Sequence, residues 1–305
     1  MSSVKYDDDK LAAYHTAYFN SGAVLYIPDN VEIKEPIEGI FYQDSDSDVP
    51  FNKHILIIAG KNSKISYLER LESRGGGNAK ATANITVEVI ARSGAQVKFA
   101  AIDRLGENVT AYISRRGKLG NNASIDWAIG VMNEGNVVAD FDSDLIGNGS
   151  HADLKAVALS SGRQVQGIDT RVTNYGCNSI GNILQHGVIL EKATLTFNGI
   201  GHIIKGAKGA DAQQESRVLM LSDQARSDAN PILLIDENDV TAGHAASIGQ
   251  VDPEDMYYLM SRGLDKATAE RLVVRGFLGS VIVEIPVKEV RDEMIATIEE
   301  KLSKR

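Results

Sequence analysis

Cysteine is nearly absent from this sequence, and its scarcity excludes several kinds of site. The 305 residues include one cysteine, Cys177. A chain with one cysteine cannot form an internal disulfide, and it cannot by itself hold a zinc ion or a metal cluster through three or four thiolates. A lone free cysteine is most often a small buried apolar side chain, which is what we expect of Cys177.

Long apolar runs, basic charge and aromatic residues are also scarce. No apolar run approaches the roughly 20 residues of a membrane-spanning helix, and Met1–Lys10 is polar and acidic, unlike a secretory signal. The formal net charge is −9, the wrong sign for a nucleic-acid-binding surface. We therefore predict a cytoplasmic protein with protein or cation partners that binds neither nucleic acid nor a membrane.

A period of two dominates the sequence from about residue 55 to residue 235. Apolar side chains alternate with polar ones, and Gly, Asn and Ser separate the alternating runs, as in Gly120-Asn121-Asn122. This pattern is typical of strands with one buried face, joined by short turns. The alternating apolar positions include Ile85, Val87 and Val89; Val97, Phe99 and Ala101; Val109, Ala111 and Ile113; Ile125, Trp127, Ile129 and Val131; and Val137, Ala139 and Phe141.

The strand segments also recur at a nearly constant interval. A small residue, a polar residue and the start of a strand repeat at Val97, Ile125 and Leu154, which are spaced by about 28 residues. A repeat of this length in a strand-only region favours a β-solenoid, in which each turn stacks on the last. A β-sandwich also has alternating strands and remains the alternative fold.

The period changes after about residue 249, where helices are predicted. Asp252 is a suitable N-cap, Pro253 suits the first helical position and Gly263 can end the helix. A second helix begins near Asp265, with Ala269, Leu272, Val273, Gly276 and Phe277 on one face; a third follows Pro286, with Val290, Met294, Ile298 and Leu302 as its apolar stripe. We predict a mainly β core over residues 1–250 and a C-terminal helical domain over residues 251–305.

Signatures of catalysis are missing from the sequence. It has no phosphate-binding G-x-x-x-x-G-K-[ST] loop and no G-x-S-x-G nucleophile elbow. None of its six histidines forms an H-x-x-x-H pair. The residues alone predict a β-rich body with a helical tail, and they do not name a function.

Several short blocks, in order and spacing, resemble the SufB/SufD family of the SUF iron–sulfur cluster assembly system. The most telling are Gly243–Gln250 (GHAASIGQ) and Tyr257–Gly263 (YYLMSRG). Upstream blocks begin at Phe19, Tyr26, His186, Lys205, Ser216 and Asn230, and Gly276-Phe277 follows. The resemblance extends over nearly the whole chain.

The resemblance implies a right-handed parallel β-helix followed by C-terminal helices. It also implies a non-catalytic scaffold that joins a SufB-like subunit and the ATPase SufC, with ATP hydrolysis in SufC. No intrinsic cofactor is implied; an iron ion or an iron–sulfur cluster is expected only transiently, at the SufB–SufD interface. Family members usually carry a long helical segment before the β-helix. This chain is expected to lack it, either as a fragment or as a naturally short version.

Two positions separate SufD-type from SufB-type members. Where SufB-like chains carry a cysteine, this sequence has Ser216, and where they carry an E-H-E-A-T-like motif it has Gly243-His244-Ala245-Ala246. A thiolate is a nucleophile and a soft iron ligand, whereas a serine hydroxyl is neither at neutral pH. Both departures favour the SufD type.

The resemblance also implies candidate functional residues. His244 matches the histidine of a SufD-type motif, and a neutral imidazole can ligate iron or move a proton. The helical tail resembles the SufC-docking region, with Met256, Tyr257, Leu259, Met260 and Arg262 as the candidate face. Apolar residues at helical spacing are more often core, so packing within the tail is the alternative for each of them.

Other readings remain open. The chain could act as a SufB-like subunit or form homodimers, because the end of an isolated solenoid is an unpaired strand edge. A β-helical polysaccharide-cleaving enzyme would need grouped carboxylates and aromatic platforms for sugars. Aromatic residues are only 6% of the chain, which disfavours that enzyme.

Overall fold

The fold was analysed in a computed structural model, which describes residues 4–283 and 288–303. The elements, numbered in chain order, are α1 (Lys10–Tyr18), β1 (Ser21–Ile27), β2 (Ile37–Asp44), β3 (Phe51–Ala59), β4 (Lys64–Arg74), β5 (Ala81–Ala91), β6 (Gln96–Arg104), β7 (Val109–Leu119), β8 (Ser124–Val131), β9 (Val137–Leu145), β10 (His151–Ser160), β11 (Val165–Asn174), β12 (Ile180–Ile189), β13 (Thr194–Ile203), β14 (Ala210–Met220), β15 (Arg226–Ile235), β16 (Val240–Gln250), α2 (Pro253–Ser261), α3 (Lys266–Ile282) and α4 (Lys288–Ser303).

The sixteen strands form two parallel sheets. Sheet A contains the odd-numbered strands and sheet B the even-numbered strands, each in the order of the chain. Because the chain alternates between the sheets, each turn adds one strand to each, and eight turns stack into a solenoid. The predicted parallel β-helix is confirmed, and the β-sandwich alternative is excluded.

The predicted repeat needs one correction. Val97 pairs with Ile125, as expected, but Ile125 pairs with Ala152 and not with Leu154. Leu154 lies opposite Trp127, two residues further along. A slip of two residues leaves side chains on the same face, because the strand period is two. The alternation therefore identified the buried positions correctly although the register was wrong.

The lumen, the space between sheets A and B, holds the main hydrophobic core. Alternate residues of each strand point into it, and equivalent positions of successive turns stack. Tyr67, Phe99 and Trp127 occupy one such column, with ring centroids 5.3 and 4.8 Å apart. The stack of apolar rungs explains why the alternation is so regular in sequence.

One corner of the solenoid passes through left-handed backbone in seven of the eight turns. Asn122, for example, has φ 53° and Gly149 has φ 66°. These conformations suit asparagine and glycine and few other residues. The amide of each such residue donates to a carbonyl one turn along, as Asn62 does to Ser93. The corner positions are Asn30, Asn62, Gly94, Asn122, Gly149, Asn178 and Gly209.

The C-terminal helices pack on the outer face of sheet B. Helices α3 and α4 form one hydrophobic cluster with Ala100, Ile102, Val157 and Val188 of that face, among others. Gly130 allows close approach, since a Cβ there would lie 3.0 Å from Met294 Cε. The division into two domains at residue 250 stays a prediction.

The helical predictions hold with one exception. Asp252 and Asp265 cap α2 and α3 as expected, and all four residues of the stripe predicted for α4 are buried. The stripe predicted for α3 is wrong in part, because Leu272 is 50% exposed while Val274 and Leu278 are buried. Sheet B, and not α2, selects the face of α3. Pro286 lies outside the described residues.

Helix α1 was not predicted from the sequence. Asp9 caps it by accepting from the amides of Leu11 and Ala12. The helix lies against the outer face of sheet A, where the buried His15 contacts Asn84 and His54. Its length of nine residues is too short to be stable alone, so the sheet contacts carry it.

Candidate functional site

The C-terminal end of the lumen brings the two discriminating positions close together. His244 lies on β16 directly opposite Gln214 of β14, and Gln214 lies opposite Ile183 of β12. Ser216 lies opposite Ala246, two residues along the same strands. All these positions belong to the lumen-facing set of their strands. His244 itself is exposed, because β16 ends its sheet and no further turn covers it.

The lumen near His244 is polar and holds several amide and hydroxyl side chains. The Ser216 hydroxyl donates to Gln185 Oε1 at 2.6 Å, and Gln185 Nε2 approaches the carbonyl of Asn198 at 3.5 Å. Gln214 Nε2 donates to the carbonyl of Ile232 at 2.8 Å. These amides therefore bridge sheet B to sheet A across the lumen.

Glycine leaves room for the bridging amides. A Cβ on Gly199 would lie 2.6 Å from Gln214 Oε1 and 3.5 Å from Gln185 Oε1. Gln214 Oε1 is buried, and no described residue donates a hydrogen bond to it. The position next to His244 thus presents an amide oxygen that can accept a further hydrogen bond.

Ser216 is buried, with its proton committed to Gln185. A hydroxyl so placed stays protonated at neutral pH and offers neither a nucleophile nor a soft metal ligand. The side chain at this lumen position therefore packs and hydrogen-bonds. His244 is the nitrogen donor at the same end of the solenoid.

Strands β15 and β16 are the last strands of sheets A and B. The outer edge of a terminal strand presents backbone N–H and C=O groups to which another strand can add. Apolar side chains are exposed on these strands, including Ile232, Leu234 and Ile235 of β15 and Ile248 of β16. Exposed apolar residues next to an open edge are typical of a protein interaction surface.

Helix α2 carries the other candidate residues. None of its nine residues is buried, and Tyr257 is 76% exposed. Tyr258 and Met260 are exposed too, while Met256 and Leu259 are half-buried. The guanidinium of Arg262 lies 5.0 Å from the ring centroid of Tyr258. The predicted face is thus displayed on the surface, at a place separate from the lumen.

His244 does not complete a metal site with its own chain. Within residues 4–283 and 288–303, no group of three or more His, Cys, Asp or Glu side chains is placed to hold a metal ion. A lone imidazole is one ligand of the four or more that iron takes. Any iron or cluster held at His244 would be cargo and would need ligands from another subunit.

Cys177 differs from the sequence expectation. It lies in the corner turn before β12, half-buried, with its Sγ 3.4 Å from the carbonyl of Gly206. The corner is on the outside of the solenoid, so the thiol is not a core side chain.

His186 and Phe277 both lie in blocks that resemble the family, but the sequence does not indicate that they meet. In the structure the two rings stack, with centroids 5.0 Å apart and an interplanar angle of 23°. Burial lowers the pKa of His186, against the opposing influence of Glu215 and the Phe277 carbonyl. The contact spans 91 residues of sequence, so no local pattern signals it.

No helix among the described residues is both long and apolar enough to cross a membrane.

Comparison with known proteins shows the same relationship along nearly the whole chain. The iron–sulfur cluster assembly protein SufD of Bacillus subtilis (strain 168) is 46% identical over 301 residues, which are 98% of this chain and 68% of that protein. An iron–sulfur cluster assembly SufBD family protein of Staphylococcus epidermidis (strain ATCC 12228) is 25% identical over 281 residues. The match covers 92% of this chain and 60% of that relative.

A model of a protein family also matches most of the chain. The model described as "SUF system FeS cluster assembly, SufBD core domain" matches residues 41–277, from β2 through most of α3. This range includes the polar end of the lumen, both terminal strands and helix α2. Given this match and the 46% identity to SufD, the chain belongs to the SufBD family of the SUF iron–sulfur cluster assembly system, and its similarity is to the SufD type.

Proposed function

We propose that the chain is a non-catalytic scaffold subunit of a SufBCD-type complex that assembles iron–sulfur clusters. The observation that supports this most is the open C-terminal end of the solenoid, where two terminal strands lie beside the exposed His244. In this proposal ATP hydrolysis belongs to the SufC partner.

The terminal strands supply the docking site for a SufB-like subunit. Strand addition joins backbone groups along an open edge, and apolar side chains such as Leu234 and Ile248 add buried area. A related solenoid has the same kind of edge, so two such ends can pair. His244 would then lie within the joint and not at a free surface.

His244 supplies a nitrogen ligand or a proton carrier for the iron or cluster that passes through this joint. The chain provides no thiolate here, because Ser216 occupies the corresponding lumen position. The partner must therefore contribute the sulfur ligands. A division of ligands between two subunits explains why neither subunit alone needs a complete site.

Helix α2 docks the ATPase subunit. Its exposed tyrosine and methionine side chains, led by Tyr257 and Met260, form an apolar surface that nothing in the described part of the chain buries. Aromatic residues and methionine are enriched at protein interfaces. The helix follows β16 after two residues, so docking there brings the ATPase close to the assembly edge.

The first test reconstitutes the complex with His244→Ala. We expect co-purification with SufB and SufC to be retained and cluster formation to fall. The control is His202→Ala, which removes a half-exposed histidine from the outer face of β13. Cluster yield that is equal for the two variants would remove His244 from the mechanism.

The second test replaces Tyr257 with Ala and measures SufC binding. Central aromatic contacts commonly contribute 2 kcal/mol or more, so we expect binding to weaken about tenfold or more. Tyr175→Ala, at an exposed corner of the solenoid, is the control. Deleting residues 252–305 should also abolish SufC binding, but it uncovers the apolar face of sheet B, so the substitution is the sharper test. Unchanged affinity of the Tyr257 variant would exclude docking through this face.

Self-association is the alternative use of the same edge. Two copies of this chain could pair through β15 and β16, since both edges are apolar and open. Light scattering with and without SufB distinguishes the two arrangements. We expect a heterodimer to form at the expense of any homodimer; a homodimer that persists with SufB present would contradict the heterodimeric scaffold.

A further inference from the structure

His186 is the polar contact between helix α3 and sheet B. It lies on β12, with its side chain on the outer face, and is buried beneath the helix. The imidazole stacks on the ring of Phe277, and its Nδ1 lies 3.4 Å from the Phe277 carbonyl oxygen. One side chain therefore contacts both the ring and the backbone of the same helical residue.

The other ring nitrogen of His186 faces the neighbouring strand. Nε2 lies 3.5 Å from Glu215 Oε1, and Glu215 is held by Arg217 Nε at 2.7 Å. Both residues are on β14, the strand that lies between His186 and the terminal strand β16. Glu215 also lies between Gln214 and Ser216 in sequence, with its side chain on the opposite face of the sheet. The imidazole thus connects α3 to the strand that lines the polar lumen.

Much of the contact between α3 and the sheet is apolar. Val274 and Leu278 belong to the hydrophobic cluster that α3 and α4 share with sheet B. Apolar burial is strong but non-directional, so it holds the helix on the sheet without selecting one rotation or one height along it. A hydrogen bond to a backbone carbonyl and a ring stack are directional. The hydrogen bond and the ring stack therefore favour one rotation and height of α3 among those that apolar burial allows.

We propose that His186 is a positioning residue that fixes α3 on β12 and β14, and through α3 orients the docking helix α2 relative to the assembly edge. The proposal rests on the proposed function only in giving α2 a partner. Helix α2 packs on α3, so a change in the position of α3 on the sheet also changes the position of α2. The same contact places the ATPase-docking helix in direct structural connection with β14, one strand from His244.

The neutral imidazole is the form that seats the helix. With its proton on Nδ1 it donates to the Phe277 carbonyl, while Nε2, which then carries no proton, lies beside Glu215 without a hydrogen bond to it. The charged groups that act on the ring are Glu215 and Arg217, both on β14, and burial lowers the pKa of His186. A histidine whose folded-state pKa is lowered stabilises the docked helix above its ordinary value of about 6.5. That contribution is lost as pH falls through the lower, folded value.

The experiment measures hydrogen-exchange protection factors of the amides of α3 in the full chain between pH 5 and 7.5, corrected for intrinsic rates. In the unsubstituted protein we expect protection to fall as pH decreases. His186→Gln should lower protection at pH 7.5 by about twofold to tenfold, the effect of one neutral hydrogen bond, and should flatten the pH profile. Glu215→Gln keeps the histidine but removes a charge that raises its pKa, so the profile should move to lower pH.

The matched control is His151→Gln. His151 lies on the outer face of sheet B and pairs with Asp153 at 2.9 Å, on a different strand from His186. Its substitution should leave the profile of α3 unchanged. A pH profile that is the same in His186→Gln and the unsubstituted protein would overturn the proposal, and so would an equal change in His151→Gln. If His186→Gln fails to fold, the predicted shift of the pH profile in Glu215→Gln tests the proposal instead.

A second readout separates this inference from the proposed function. Binding of SufC to α2 should change exchange protection in β14 and β16 of the unsubstituted protein. In His186→Gln that change should be reduced while SufC still binds. Failure of SufC to bind the unsubstituted protein would contradict the proposed docking but not the seating of α3. An undiminished change in His186→Gln would contradict the positioning role alone.

Discussion

Gln214 and His244 are paired residues of adjacent parallel strands, and both occupy lumen-facing positions at the open end of the solenoid. Gln214 is buried and bridges the two sheets, whereas His244, one strand further, is exposed. At this lumen position the side chain on β14 bridges the two sheets, and the side chain on the next strand, β16, is exposed to solvent. That change leaves the imidazole accessible at the end of the solenoid.

Different side chains line the lumen along the solenoid, although the early turns also hold the buried charged group of Arg115, Glu69 and Asp103. Its early turns hold the column of Tyr67, Phe99 and Trp127, and its last turns hold Gln185, Gln214 and Ser216. Apolar rungs supply the free energy of folding, while amide bridges tie the terminal strands to each other by directional bonds. The polar end is therefore suited to hold a fixed geometry near the solvent.

Asp140 predicts a measurable dependence of stability on pH. Burial, followed by the charge of the neighbouring Asp142, raises the pKa of Asp140 to about 7. Asp142 itself accepts from Arg116 at 3.1 Å and from Arg171 at 2.8 Å. Because the pKa is raised by folding, the stabilising contribution of the protonated form is lost as pH rises from about 4 towards 7 and above.

The test measures denaturant midpoints of the unsubstituted protein and of Asp140→Asn from pH 5 to 8. We expect the midpoint of the unsubstituted protein to fall with rising pH and that of Asp140→Asn to fall less, since an amide mimics the protonated acid. Asp169→Asn, at the neighbouring position on β11, is the control. Parallel curves for the unsubstituted protein and Asp140→Asn would show that another group titrates.

Substitution of Arg115 and substitution of its partner Glu69, both in the lumen, should destabilise the protein by different amounts. The guanidinium is fully buried and contacts Asp103 at 2.7 Å and Glu69 at 2.6 Å. Burial raises the pKa of Glu69, which favours its neutral form, whereas the two carboxylates hold the pKa of Arg115 above its usual range despite burial.

Arg115→Met should therefore destabilise the protein by about 3–5 kcal/mol, because it leaves a buried carboxylate without a counter-charge. Glu69→Gln leaves Asp103 facing the guanidinium as its counter-charge and should change the free energy of unfolding by about 1 kcal/mol or less. Urea denaturation of both variants at pH 7 is the measurement. Equal losses for the two substitutions would mean that Asp103 alone does not compensate the buried guanidinium.

Adding a single methyl group at Gly147, in a corner of the solenoid, should strongly destabilise the fold. A Cβ there would lie 2.1 Å from the backbone N of Asn121 and 2.1 Å from the carbonyl C of Gly120. These backbone atoms cannot rotate away, so Gly147→Ala should destabilise the fold by about 3 kcal/mol. Gly167→Ala is the control, because nothing lies within 4 Å of its Cβ position. A loss for Gly147→Ala as small as that for the control would mean that adjacent turns separate easily.

Three polar side chains attach the N-terminal segment to sheet A. His15 Nδ1 contacts Asn84 Oδ1, His15 Nε2 contacts His54 Nδ1, and His54 Nε2 contacts Glu88 Oε1, each at 3.0 Å. Asn84 Nδ2 donates to the carbonyl of Leu11, so its oxygen faces His15. Both outer contacts need an N–H, and the central contact needs one proton. In this circuit a neutral His15 with its proton on Nδ1 donates to Asn84 and offers Nε2 as an acceptor to His54.

The circuit predicts release of α1 in acid. Burial, followed by the nearby His54, lowers the pKa of His15. Its contribution is therefore present above a pH of about 6.5 and is lost below it, because protonation places a charge on the buried ring and removes the acceptor that faces His54. We expect exchange protection of α1 to fall between pH 7.5 and 5. His15→Gln should lower protection at pH 7.5 and remove this dependence, and His202→Gln should do neither; a dependence that survives His15→Gln would contradict the assignment.

Much of the solenoid was predictable from sequence because its rungs are local. The alternation of Val97, Phe99 and Ala101 marks a buried face directly, and the glycine and asparagine turns mark the corners. The register was less secure: Leu154 was matched to Ile125, two residues from the observed pairing. Two-residue slips preserve the side-chain pattern, so hydrophobic periodicity cannot detect them.

Only part of the candidate site could be predicted from the sequence. Resemblance to the family singled out His244 and Ser216, but their placement on neighbouring strands of one lumen follows from parallel pairing. Gln214 and Gln185 looked like ordinary polar positions within alternating strands. The face of α3 was mistaken at Leu272, because the outer surface of sheet B decides which side of the helix is covered.

By itself, the sequence determined the kind of structure: stacked strands with one buried face, glycine and asparagine corners, capped helices at the end and no thiolate at Ser216. Each of these depends on neighbours within a few residues, which a linear pattern records. Only the tertiary structure decided that His244 stands exposed at an open lumen, that Arg115 meets Glu69 and Asp103, and that His186 seats Phe277. Those contacts join residues from 12 to 91 positions apart, and their geometry is set by the stacking of turns and not by local preference.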